Sequence, residues 1–164
     1  MSEPVWVGVA RKYINTREVP GPKNNPVIIG WAKRLGGWFA SFYTKDEIPW
    51  CGLFVANCMK ECGYPVQGDA LSALGWSDYG TRVQPCIGAI MIFKRPGGGH
   101  VGFYVSEDAN TFHILGGNQG DNVSIVRIEK SRFHDSRWPP GAKPPISGRL
   151  VLNRNPAPIS KNEA

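Results

Sequence analysis

The sequence predicts an α+β fold, with helices in its first half and an antiparallel sheet in its second. Two patterns carry this reading. Apolar residues recur at helical spacing up to about residue 62, and β-branched and aromatic runs separated by turn clusters follow from residue 88. Size agrees: 164 residues with 41% hydrophobic and 20% charged content can bury one core without disulfide or metal staples. Helices first and strands second, with no internal repeat, imply a single domain.

The first helix is read over 4–15, where Pro4 suits an early helical position and Val5, Val9 and Tyr13 recur at helical spacing. The Pro/Gly/Asn-rich stretch 19–26 is a loop. A short second helix covers 27–35 and closes at Gly36-Gly37. The most apolar helical segment is 50–62, entered after Pro49 and left at Gly63, with a short helical piece around 69–79 after it. Strands are read at 88–93, 100–106, 111–116 and 123–128, joined as a meander by Gly97-Gly98-Gly99, 107–110 and 117–122. Residues 134–164 are proline-rich and read as mostly irregular. The expected organisation is one domain over 1–155, with a flexible tail at 156–164.

Composition narrows the function. The net charge of +6 favours polyanionic partners such as nucleic acid, anionic lipid or a carboxylate-bearing cell wall. No basic stripe interleaved with aromatics, recognition helix or zinc-finger spacing is present, which argues against nucleic acid. No run approaches the roughly 20 apolar residues of a membrane-spanning helix, and Met1–Trp6 lacks the basic start and apolar run of a signal peptide. The expectation is a cytoplasmic product that something else delivers to any target beyond the membrane. Without a secretion signal, Cys51, Cys58, Cys62 and Cys86 are not expected to form disulfides, and their spacing does not suit a zinc site. No metal and no cofactor are expected.

Cys51 stands apart from the other cysteines. It opens a helix, where unpaired N–H groups and the positive dipole end favour a thiolate. Cys58, Cys62 and Cys86 sit in apolar surroundings as small hydrophobes. A nucleophilic thiol needs a base, and the candidates are His100, His113 and His134. His100 opens a strand after three glycines and has the lead by position, while His113 lies mid-strand between Phe112 and Ile114. Asn118 follows the strand that pairs beside His100's strand and could orient the imidazole. It reads equally well as an ordinary turn residue.

Four segments follow one another along the chain: Glu18-Val-Pro-Gly with Asn25-Pro26; Asp46-Glu-Ile-Pro-Trp-Cys-Gly-Leu-Phe-Val55; Gly88–Phe93 through Gly99-His-Val-Gly-Phe-Tyr-Val105; and Ile114-Leu-Gly-Gly-Asn-Gln119. In this order they resemble the NlpC/P60 and CHAP superfamily of bacterial and phage cell-wall hydrolases, in particular a small-domain subfamily found in phage endolysins. Each is weak alone; together they are specific. The resemblance implies a papain-like fold, with a nucleophile helix packed on an antiparallel sheet that carries the histidine and its polar partner. Carried across, Cys51 is the nucleophile, His100 the base and Asn118 the orienting residue. Many CHAP domains have a glutamate two positions before that asparagine, where this chain has Gly116. Asp46 or Glu47 could supply a carboxylate instead. Calcium-binding relatives use clustered acidic loops, and none is visible here.

The implied activity is cleavage of an amide in the peptidoglycan stem peptide, or of its link to N-acetylmuramic acid, by a monomeric enzyme. Trp50, Trp76 and Gln119 are the candidate groove residues, although Trp76 reads equally as core. A leaderless wall hydrolase fits a phage endolysin that reaches the periplasm through holin lesions. An interbacterial amidase effector with the same chemistry is an alternative. So is a catalytically idle wall-binding or virion module, which an intact Cys/His/Asn set argues against.

Overall fold

The computed structural model describes residues 3–19, 23–42, 49–145, 148–152 and 156–163. Four helices come first: α1 (Val5–Lys12), α2 (Pro26–Leu35), α3 (Gly37–Phe42) and α4 (Cys51–Glu61). A 3₁₀ turn at Leu74–Asp78 leads into β1 (Thr81–Arg82), β2 (Ile90–Arg95), β3 (Gly98–Glu107), β4 (Thr111–Gly116), β5 (Ser124–Glu129) and β6 (Phe133–Trp138). The six strands form one antiparallel sheet in the order β1-β6-β2-β3-β4-β5. This is the α+β, papain-like arrangement that the sequence implied.

Local chemistry accounts for the helix starts. Asn25 caps α2, its side-chain oxygen accepting from the Val27 N–H at 2.8 Å, and Pro26 takes the first helical position, where no N–H is needed. Helix α2 ends at Leu35 and closes at Gly36-Gly37, as its glycines suggested. Both take positive φ (71° and 55°), which turns the backbone and lets α3 begin at once. Phe39 anchors α3 in the core.

Helix α4 is the centre of the molecule. Every residue from Cys51 to Met59 is buried, because α4 packs on β3 on one side and on α1 and α2 on the other. A helix that is apolar all round requires such a sandwich. Fully burying Leu53 and Phe54 contributes roughly 1.5–3 kcal/mol each. Trp6 of α1 joins the layers, donating from its indole N–H to the Gly88 carbonyl at 2.8 Å and meeting Trp138 edge-on at 5.0 Å.

Strands β2 to β5 form the expected meander. Strand β6 lies where an irregular region was expected. Its sequence, Phe-His-Asp-Ser-Arg-Trp, does not alternate cleanly, and its place is set by pairing with β2, with Ile90 opposite Arg137 and Met91 opposite Ser136.

The segment expected as a tail has backbone hydrogen-bond partners. Residues 156–163 dock along β5: the Arg127 N–H donates to the Pro158 carbonyl and the Ser160 N–H to the Arg127 carbonyl, both at 2.8 Å. The cause lies in the topology. Strand β5 is the outer strand of the sheet, so the backbone groups of Arg127 that face away from β4 need partners from elsewhere.

Candidate active site

Cys51 is the first residue of α4, and Trp50 is its N-cap. The thiol is 7% exposed and His100 has no exposure at all. Strand β3, against which α4 packs, carries the imidazole to the start of the helix. Burial alone would raise the Cys51 thiol. The adjacent imidazole and the backbone N–H groups of Val101 and Gly52 outweigh it and hold the thiol below its ordinary value. His100 shows the complementary balance. Burial lowers it, and the thiol of Cys51, the charge of Glu163 and the bond to Gln119 bring it above its ordinary value. Both shifts favour a thiolate beside an imidazolium.

The other cysteines behave oppositely. Burial pushes Cys58 well up, Cys62 is raised by burial and by Glu61, and Cys86 is pushed up to about 11. All four are free thiols.

The orienting contact comes from Gln119. Its Oε1 lies 2.9 Å from His100 Nε2. Its Nε2 donates to the carbonyls of Ile114 at 3.1 Å and Ser124 at 2.6 Å. These two carbonyls decide which end of the amide faces the histidine. With both amide hydrogens engaged, the oxygen must be the atom turned to the imidazole, so His100 Nε2 carries the proton. Nδ1, buried without a hydrogen-bond partner, then keeps its lone pair.

Asn118 lies elsewhere. Its Nδ2 donates to the Glu163 carbonyl at 3.1 Å, and its backbone has φ 59°, a left-handed conformation that asparagine tolerates. The expectation that Asn118 contacts the imidazole is therefore corrected in favour of its neighbour. A signal for this was present at Gly116. A Cβ there would come within 2.7 Å of Gln119 Oε1 and 3.5 Å of His100 Nε2. The missing side chain is what admits Gln119 to the slot.

The three candidate groove residues all lie inside the molecule. Trp50 and Trp76 are completely buried, and Gln119 nearly so. Trp76 donates to the Ala70 carbonyl at 2.8 Å as a core residue. Trp50 packs against Trp31 in a tilted pair, ring centroids 5.8 Å apart, and donates to Glu18 Oε1 at 2.7 Å. Glu18, from the first of the four motif segments, thereby ties the residue before Cys51 to the 15–19 segment. Gly117 completes this packing, since a Cβ there would meet Trp50 and Phe54 at 2.8 Å.

His113 is buried between Ser106, whose Oγ is 2.6 Å from Nδ1, and Asp108, whose Oδ2 is 3.0 Å from Nε2. It belongs to the β3–β4 hairpin. His134 is exposed on β6. Asp46 and Glu47 lie outside the described residues. Among the described residues, no three His, Cys, Asp or Glu side chains gather as a metal-binding group, and no helix is long and apolar enough to cross a membrane.

A thiol at a buried helix start, faced by an imidazole from an antiparallel sheet, defines the papain-like class of cysteine/histidine hydrolases. Residues 43–118 match the family model of the CHAP domain, which bears out the resemblance to the NlpC/P60–CHAP superfamily. The match spans all of α4, the 3₁₀ turn, strands β1 to β4 and the loop up to Asn118. CHAP domains are typically cysteine/histidine-dependent amidases or peptidases, and the match suggests peptidoglycan hydrolysis. No curated protein matches the chain.

Proposed function

We propose that this protein is a cysteine-dependent peptidoglycan hydrolase in which Cys51 is the nucleophile, His100 the general base and acid, and Gln119 the residue that orients His100. One observation carries the reading. Gln119 holds the imidazole in the tautomer that leaves Nδ1 available to the only cysteine whose thiol is shifted downward.

The chemistry is acyl transfer. The Cys51 thiolate attacks the carbonyl carbon of a stem-peptide amide, or of its link to N-acetylmuramic acid, forming a C–S bond. Backbone N–H groups at the start of α4 stabilise the oxyanion. The C–N bond breaks as His100 delivers its proton from Nδ1 to the leaving amine. Water, deprotonated by His100, then attacks the thioester. The C–S bond breaks, the acid product departs and the thiolate returns. Gln119 keeps the imidazole in place throughout.

In its biological setting the enzyme is a monomeric lytic enzyme of the phage endolysin type, acting on the wall after holin-type release. Support for that role comes from the ordered segments shared with that subfamily.

The test is a lysis zymogram on purified peptidoglycan followed by mass spectrometry of the released fragments. New amino termini within the stem peptide identify an endopeptidase, and free lactyl carboxylates on the glycan identify an amidase. Intact peptidoglycan after exposure to folded, reduced protein refutes the reading.

A further inference from the structure

Glu163 is a buried carboxylate that the chemistry above leaves unused. Its side chain has 0% exposure and meets Arg132 in a two-pronged pair, with Nη1 donating to Oε2 at 3.0 Å and Nη2 to Oε1 at 2.5 Å. The Ser160 hydroxyl donates to it as well. Burying such a pair carries a heavy desolvation cost. Attachment of residues 156–163 does not explain it, because the backbone bonds to Arg127 already hold that segment on β5.

The position of Glu163 does explain it. Its main-chain carbonyl receives the Asn118 side chain at 3.1 Å, and Asn118 directly precedes Gln119. The Gln119 N–H donates in turn to the Asn122 carbonyl at 3.0 Å, and the Ser124 hydroxyl donates to the Gln119 carbonyl at 3.1 Å. Glu163 thus closes a chain of contacts from β5 through the 117–122 loop to the imidazole.

We propose that Glu163 is a positioning residue of the active site: its carbonyl anchors the loop that carries Gln119, and its carboxylate, balanced by Arg132, sets the charge around His100. The inference rests on the hydrolase reading for its functional meaning. The titratable groups acting on His100 are Cys51 from α4 and Glu163, and those acting on Glu163 are Arg132 and His100. Burial raises the Glu163 carboxyl, but Arg132, Ser160 and the charge on His100 hold it below its ordinary value. Because Glu163 and Arg132 carry opposite charges, removing one or the other must move the imidazole in opposite directions.

The experiment uses the full chain with labelled histidine rings and follows the His100 titration by NMR in a Cys51→Ser background, where no thiol couples to it. Glu163→Gln removes the negative charge and leaves Arg132 unbalanced. It should lower the His100 midpoint by about half a pH unit or more, roughly threefold in the protonation equilibrium. Arg132→Gln should raise it, and Arg132→Lys should leave it in place. Midpoints that do not move, or that move together, overturn the charge role. Should Glu163→Gln fail to fold, the two Arg132 variants carry the same test of sign. Asn118→Gly keeps the left-handed backbone but removes the amide, and should speed hydrogen exchange at Gln119 about tenfold or more. Unchanged protection overturns the anchor. Iodoacetamide labelling of the unsubstituted chain tests the hydrolase reading separately. Cys51 reacting no faster than Cys62 would sink that reading and leave the His100 sign test standing.

Discussion

Replacing Gln119 by leucine keeps the volume of the side chain and removes all its polar atoms. Three groups then lose a partner: His100 Nε2 and the carbonyls of Ile114 and Ser124. A buried polar group left unpaired costs about 1–3 kcal/mol, and carbonyls with a second lone pair engaged lie at the low end. Part of this is offset by the apolar leucine, so the expected loss of stability is roughly 2–4 kcal/mol. The share that falls on the imidazole governs the rate. Without its acceptor, His100 can exchange tautomers and swing from Cys51. A loss of about 1.4–2.8 kcal/mol of transition-state stabilisation is a 10–100-fold fall in kcat/KM. Initial lysis rates on purified peptidoglycan at subsaturating substrate measure it, on protein shown to be folded by circular dichroism at the assay temperature. Asn118→Gly is the comparison, because it preserves the positive φ; its fall should stay under about tenfold. Rates for Gln119→Leu within threefold of the parent, beside an inactive Asn118→Gly, would return the orienting role to Asn118.

The remaining expectations concern the thiol, the histidines, acid stability and metals. Cys51→Ala should abolish lysis with the fold intact, whereas Cys58→Ala should lower only the melting temperature, by about 1 kcal/mol of stability; lysis by folded Cys51→Ala protein would end the mechanism. His100→Ala should cost about a thousandfold or more in rate. His113→Ala should keep most of the activity and lose about 1–3 kcal/mol through the unpaired Ser106 and Asp108, and the reverse ranking in matched assays would move the base to the next hairpin. Glu107 is held down to about 2 by Arg149 against the cost of burial, with Lys130 and Tyr104 assisting. Its folded value is depressed, so its stabilisation is complete above the ordinary carboxylate range and disappears as pH falls toward 2. Acid unfolding midpoints should therefore shift upward in Arg149→Gln, and identical acid profiles would show that the pair contributes nothing. Lysis should persist in EDTA, and activity lost on chelation and restored by calcium or zinc would reveal a metal site.

Much of the fold was legible because it rests on local signals. Alternation and turn clusters located β4 at 111–116 to the residue, and apolar spacing with Pro49 and Gly63 bounded α4. Cys51 was legible for the same reason, since a helix start is a local feature with its own electrostatics. The resemblance supplied His100 through its segment after three glycines. The burial of Trp50 and Trp76 was not legible. Tryptophan suits a groove or a core equally well, and only the packing of α4 against its neighbours chooses.

By itself the sequence located α1, α2, α4 and the β2–β5 meander, singled out Cys51 as the candidate nucleophile and carried the CHAP resemblance, because periodicity, helix starts and ordered motifs are properties of short stretches. Tertiary structure alone decided the rest. Strand β6 has no clean alternation and exists as a strand because β2 offers it a hydrogen-bonding edge. Residues 156–163 lie along β5 because the backbone groups of this outer strand need partners. The choice of Gln119 over Asn118 turns on the carbonyls of Ile114 and Ser124 and on a missing Cβ at Gly116. Adjacent loop residues point in different directions, and which one reaches the histidine is set by groups that meet only once the chain has folded.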